Sequence, residues 1–139
     1  PANVHFTYLA APLGGPFDVF ARGYFAAEAL GMADKVHQGV FDAVFKDKVK
    51  IATLEDLAGV YEKLGVPKAD FLAAANSFAV NARMKQTTQM LTRYEALSTP
   101  TILVAGKYRV TGQTAAGYPN VFNVVNQLIA KETAATAAQ

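Results

Sequence analysis

The sequence predicts an α/β fold in which a block of helices interrupts a small layer of strands. Three observations carry that prediction. The chain opens with period-two alternation, changes to helical periodicity from residue 17 to 96, and returns to β character at "TILVAGKYRV" before one last amphipathic stretch.

Each element has its own local reason. "NVHFTYLA" sets Val4, Phe6 and Tyr8 against His5 and Thr7, which reads as a strand over 4–9. "APLGGP" ends it as a loop. Phe17, Phe20, Tyr24, Ala27 and Leu30 then share one helical face, closed by Gly31. Asp34 is positioned to cap a second helix with Val36, Val40, Phe41, Val44 and Phe45 on its apolar side. "TLED" starts a third helix as a capping box, because the Thr53 hydroxyl and the Asp56 carboxylate can each satisfy an orphan amide. Leu54, Leu57, Tyr61 and Leu64 are its stripe, and Gly65 and Pro67 end it. A short helix carries Phe71 and Leu72. Asn76 or Ser77 caps the longest helix, with Val80, Met84, Thr87, Leu91 and Tyr94 facing the core. Pro100 stops the helical pattern, since the residue before a proline avoids the helical region. "TILVA" and "YRV" form a hairpin around Gly106, and Val121, Phe122, Val125, Leu128 and Ile129 stripe the last helix. "KETAATAAQ" has no apolar stripe and reads as a frayed tail.

Composition excludes several functions. The chain has 139 residues, 52% hydrophobic and 17% charged, so one domain with a substantial core is expected. A net charge of +2 is too small for a nucleic-acid footprint, and "FKDKVK" is broken by Asp47 and reads as a solvated helix end. No run of about 18 apolar residues suggests a membrane span. The absence of cysteine excludes a disulfide framework, a thiolate zinc site and a cysteine nucleophile. His5 and His37 are too few and too separated for a metal site, and the carboxylates are spread over several helices as caps and solvated faces. Ser98 has no evident histidine partner, and phosphate-binding glycine motifs are missing. No metal and no cofactor are expected.

"YFAAEALGMADKVHQGVFDAVF", "NSFAVNARM" and "STPTILVAGKYRVTG" resemble the DsbA family of thiol:disulfide interchange proteins. These are thioredoxin-fold enzymes with an inserted helical domain. The resemblance covers nearly the whole chain. It rests on joint order and spacing, since no single motif is decisive. It implies a thioredoxin-like fold that is incomplete at its N-terminus, with the central strand and the active-site helix absent. The expected division is a partial thioredoxin-like domain over 1–16 and 97–132, an inserted helical domain over 17–96, and a flexible tail over 133–139. A chain that begins at Pro1 rather than Met is expected to be a processed product or part of a longer molecule.

The resemblance also implies what the residues do. The family's Cys-x-x-Cys helix would precede Pro1, so no catalytic residue is assigned here. Ser98, Thr99 and Pro100 are the expected substrate-binding residues. A proline at the first residue of a strand is tolerated in the ordinary trans form, but the resemblance implies a cis Thr99–Pro100 bond facing the reactive cysteines. The Thr99 backbone would then pair with an extended substrate in β fashion. Reduced or unfolded exported proteins are the implied substrates, a membrane quinone-linked DsbB-type reoxidase is the implied partner, and the periplasm the implied location. Without the central strand, the two strands beside it would stand roughly 9–10 Å apart. The expected consequences are a longer parent molecule, a rearranged sheet, or a strand-exchanged dimer. The competing reading is a redox-inactive thioredoxin-like module that binds peptides or associates with itself.

Overall fold

The computed structural model describes residues 2–137. Six α-helices and one hairpin run in the order α1 (Pro16–Ala29), α2 (Ala33–Phe45), α3 (Leu54–Lys63), α4 (Lys68–Ala75), α5 (Phe78–Arg93), β1 (Ile102–Val104), β2 (Tyr108–Val110) and α6 (Val121–Ala137), with a 3-10 turn at Tyr118–Asn120. Two compact units share the chain. One comprises Tyr8–Leu91, the other Pro1–Thr7 with Thr92–Gln139, and the boundary falls in the last turn of α5.

The larger unit is helical because its apolar residues recur at helical spacing and its ends are capped. Gly31 at φ 67° ends α1. There the Met32 N–H donates to Ala27 O at 2.8 Å and the Gly31 N–H to Glu28 O at 3.0 Å, the paired bonds of a Schellman motif. Gly65 ends α3 in the same way, with the Val66 N–H on Tyr61 O and its own N–H on Glu62 O, both at 3.0 Å. At the start of α3, the Asp56 N–H donates to Thr53 Oγ1 at 3.1 Å and the Thr53 N–H returns to Asp56 Oδ2 at 3.0 Å. The Ala52 N–H also donates to Asp56 Oδ2 at 3.0 Å, and the Ala52 and Thr53 amides together hold the Asp56 carboxyl below its ordinary value. Ser77, not Asn76, caps α5: the Val80 N–H donates to Ser77 Oγ at 3.2 Å, while Asn76 Nδ2 turns back to Leu72 O.

Helix α1 packs against α2, α3 and α4. Ala26, Ala27, Val36, Leu57, Ala58, Tyr61, Val66, Phe71 and Ala75 form the core between them. Small residues set the close approach. A Cβ at Gly23 would lie 2.4 Å from Leu57 Cδ2, and one at Gly39 would lie 2.4 Å from Leu64 Cδ2. Tyr61 packs at a tilt against Phe71 with ring centroids 4.3 Å apart, and burial pushes its phenol well above the ordinary value. A second apolar cluster joins Ala21, Phe25 and Val80 to Leu9, Ala10, Tyr24 and Met84. Helix α1 therefore buries two faces, with Ala26 and Ala27 on one and Ala21 and Phe25 on the other.

The smaller unit is the antiparallel pair β1–β2, with Ile102 opposite Val110, Leu103 opposite Arg109 and Val104 opposite Tyr108. Helix α6 lies on it through Val121, Val125, Leu128 and Ile129.

Four expectations need correction. Residues 4–9 are not in a strand, and the sheet among the described residues has two strands. Alternation prepares a segment for pairing, but a strand exists only where a neighbour supplies the ladder. Asp34 does not cap α2. The helix begins at Ala33, and Asp34 sits within its first turn, where its charge still favours the positive helix end. The residues read as a tail are helical as far as Ala137, which makes α6, at 17 residues, longer than the 16-residue α5. Alanine and charged residues propagate a helix without an apolar stripe. The Thr133 hydroxyl folds back on Ile129 O at 2.9 Å and accepts a bond from Asn3 Nδ2 at the same distance. Residues 138–139 lie outside the described chain. Finally, Phe17, Leu30, Phe41, Phe45 and Phe122 share the expected apolar stripes, yet their side chains are exposed.

Candidate functional site

The segment 94–101 is held at both ends and open in its middle. At its root, Glu95 adopts φ 51° and its N–H donates to Thr92 O at 3.1 Å. The Arg109 guanidinium donates to Glu95 O at 2.6 Å and lies 3.5 Å from the Glu95 carboxylate, tying the segment to β2. Ala96 is buried and Leu97 points into solvent. At the far end the Thr101 hydroxyl donates to Ser98 O at 2.6 Å, one residue before β1 begins. Between these fixed points Ser98, Thr99 and Pro100 are all exposed. The Thr99–Pro100 peptide bond is cis.

The hairpin behind this loop is tightly built. Ala105 and Gly106 both take positive φ, 53° and 66°, the signature of a type I′ turn, and the Lys107 N–H closes on Val104 O at 3.0 Å. The Tyr94 hydroxyl would stand 3.2 Å from a Cβ at Gly106. Next to β2, Thr111 and Thr114 exchange hydroxyl–amide bonds at 2.8 and 3.1 Å. The Tyr118 ring covers Gly112 so closely that a Cβ there would lie 2.8 Å from it.

Charge is also fixed between the hairpin and α6. Glu132 on α6 accepts a charge-assisted bond from Lys107 and a 3.0 Å bond from the Tyr108 hydroxyl. Those bonds hold the Glu132 carboxyl below its ordinary value and lift Lys107 above its own.

The three residues singled out from the sequence, Ser98, Thr99 and Pro100, thus sit together on one exposed, anchored loop. The arrangement offers main-chain donors and acceptors and three hydroxyls beside a strand, and the chain offers no thiol. Among the described residues, no three His, Asp or Glu side chains converge as a metal site. His5 is exposed, and His37 stacks on Tyr8 and meets Phe41 at a tilt, 5.1 Å from each ring. Sequence reasoning missed the Arg109–Glu95 clamp and the Glu132 network. The first joins residues 14 apart with no shared periodicity. The second was hidden because Glu132 fell in the supposed tail.

Comparison with known proteins gives a consistent result. Residues 3–128 match the model of the DSBA-like thioredoxin domain. The chain is similar to the thiol:disulfide interchange protein DsbA of Pseudomonas aeruginosa, 36% identical over 135 residues that make up 97% of this chain and 64% of that protein. The crystal structure of Pseudomonas aeruginosa DsbA superposes with a TM-score of 0.89 at 36% identity, covering 99% of this chain and 71% of that one. A DsbA of Proteus mirabilis in complex with a non-covalently bound peptide, PWATCDS, superposes with a TM-score of 0.74 at 27% identity, covering 92% of this chain and 72% of that one. The chain therefore spans about 64% of the length of the curated relatives it matches. Among the described residues, no helix is long and apolar enough to cross a membrane.

Proposed function

The chain belongs to the DSBA-like thioredoxin-domain family, and from that premise we propose that it forms the substrate-binding portion of a thiol:disulfide oxidoreductase that acts on exported proteins. The redox cysteines would come from a segment outside these 139 residues. The observation that carries this reading is the order of a five-helix block followed directly by the exposed Ser98–Thr99–Pro100 loop and its hairpin.

In this reading the loop holds an extended substrate by its backbone. The Thr99 main chain supplies a donor and an acceptor to the peptide, and Pro100 has no amide to compete. Exchange then proceeds on the enzyme's disulfide. A substrate thiolate attacks one sulfur, the other leaves as a thiolate, and a second substrate thiolate displaces the mixed disulfide. The substrate dithiol is oxidised by two electrons to a disulfide, and the enzyme disulfide is reduced to the dithiol. A membrane quinone-linked reoxidase of DsbB type would restore the disulfide. The periplasm is the compartment that suits this chemistry. The clamp of Arg109 on Glu95 and the bond from Thr101 to Ser98 O support the reading, because a loop fixed at both ends binds a peptide with less ordering cost.

The second reading, a thiol-free peptide-binding module, is favoured by the lack of cysteine. Amide chemical shifts of the isotope-labelled chain, titrated with a reduced extended peptide, test the shared element. Shifts should concentrate at Ser98, Thr99 and Thr101, and Thr99→Arg should remove them. Binding that leaves these residues unmoved refutes both readings. Disulfide formation in a reduced test protein then separates them. Under the first reading, the chain should be inactive alone and active when supplied with an upstream strand and Cys-x-x-Cys helix. Continued inactivity selects the second.

A further inference from the structure

The hairpin has two unlike faces. Ile102, Val104, Tyr108 and Val110 share the side that α6 covers. Arg109 points the other way, opposite Leu103 in the ladder. On that side it meets the chain leaving α5. Its Nη1 donates to Glu95 O at 2.6 Å, and its Nη2 lies 3.5 Å from the Glu95 carboxylate. The two contacts are unequal. The Glu95 side chain is 75% exposed, so the ion pair is worth little. The short charge-assisted bond to the carbonyl fixes the main chain itself.

Glu95 is an unusual residue for its position. At φ 51° it follows the end of α5 in the left-handed region, where glycine avoids the cost of a Cβ. A residue with a side chain stays there because its surroundings hold it. Its two neighbours are also fixed. The Tyr94 hydroxyl stands against Gly106 of the hairpin turn, and Ala96 is 3% exposed. Further along, the Thr101 hydroxyl closes on Ser98 O at 2.6 Å. Between these anchors the Thr99 N–H and C=O bond to no group among the described residues.

We propose that Arg109 is a positioning residue for substrate: by holding Glu95 O it fixes the direction in which the Thr99 main chain meets an extended peptide. The proposal rests on the reading of Ser98, Thr99 and Pro100 as a peptide-binding loop, and it holds for either form of that reading. The effect is one of entropy. Glu95 lies four positions before Thr99. A short segment anchored at both ends has little freedom left to lose when a peptide adds to it as a strand. Released from Arg109, the segment must be ordered by the peptide, and affinity falls. A guanidinium suits the task because its planar fork keeps its direction, whereas an ammonium on a flexible stem does not. Affinity should therefore decrease from Arg to Lys to Met at position 109.

Titration of the isotope-labelled chain with the reduced, end-blocked peptide Val-Thr-Cys-Thr-Val tests this, with backbone order parameters measured before the peptide is added. Arg109→Met keeps the stem and removes the bond. It should weaken binding about fivefold. It should also lower the order parameters of Ser98 and Thr99 below about 0.6, while Tyr108 and Val110 stay at about 0.85. Arg109→Lys should recover part of the affinity. Glu95→Gln, which deletes only the ion pair, should weaken binding less than Arg109→Met does. Equal affinity in Arg109→Met and the unsubstituted chain overturns the proposal and leaves the loop standing as a binding site. So does a loss of order in β1 and β2 that matches the loss at Ser98 and Thr99, because the role of Arg109 would then be structural alone. A Glu95→Gln chain as weak as Arg109→Met overturns the assignment to the carbonyl bond. An unsubstituted chain that does not bind the peptide sinks the binding reading, and the proposal with it.

Discussion

Gly23 and Leu57 should be strongly coupled, and a double-mutant cycle measures it. Leu57 is 0% exposed in the main core, so Leu57→Ala leaves a cavity and costs about 3 kcal/mol. Gly23→Ala brings two opposed effects. A helix-interior alanine gains about 1 kcal/mol over glycine. The new methyl, however, falls 2.4 Å from Leu57 Cδ2 and 3.5 Å from Phe71 Cζ. Leu57 is enclosed and cannot swing aside, so overpacking costs about 2 kcal/mol and the net is a loss of about 1 kcal/mol. Independent effects would sum to about 4 kcal/mol. In the double variant the offending Cδ2 is gone. The clash vanishes and the propensity gain remains, so the loss should be about 2 kcal/mol, a coupling of about 2 kcal/mol. Urea unfolding followed by circular dichroism at 222 nm gives all four stabilities. Additivity within about 0.5 kcal/mol would refute the close approach of α1 to α3.

Three further outcomes are expected. Ala105→Asn should stabilise the hairpin by about 1 kcal/mol, because it turns a strained left-handed alanine into the Asn-Gly pair that a type I′ turn prefers; a destabilised variant in thermal unfolding would count against the turn type. Thr53→Ala should cost about 1 kcal/mol in urea titration by removing the capping box of α3, and a neutral effect would mean that water replaces the hydroxyl without loss. Glu132→Gln should flatten the acid limb of the stability–pH curve. The carboxyl's folded pKa lies below its ordinary value of 4.5, so its contribution is complete above that value and is lost as pH falls through the lower folded one. A variant whose acid limb matches that of the parent chain would refute the bonds from Lys107 and Tyr108.

The sequence by itself determined the helical block, its caps and its order relative to the late hairpin. These depend on residues a few positions apart: Thr53 with Asp56, Gly31 after Leu30, and the Val80–Thr87–Leu91 face of α5, all of which are buried. It also located Ser98, Thr99 and Pro100 at one chain position, since a loop site made of consecutive residues needs no tertiary contact to bring it together. Tertiary structure decided whatever depended on a partner far away in the sequence. Alternation over 4–9 could not say whether a neighbouring strand would be present. Helical spacing could not say which of two apolar sides of α2 its neighbours would cover, so Phe41 and Phe45 were assigned to a core that Val36 and Ala43 occupy instead. The anchoring of the loop by Arg109, and the capture of Lys107 by Glu132, join residues 14 and 25 positions apart. Local periodicity reports which side chains share a face, and only packing chooses which face meets water.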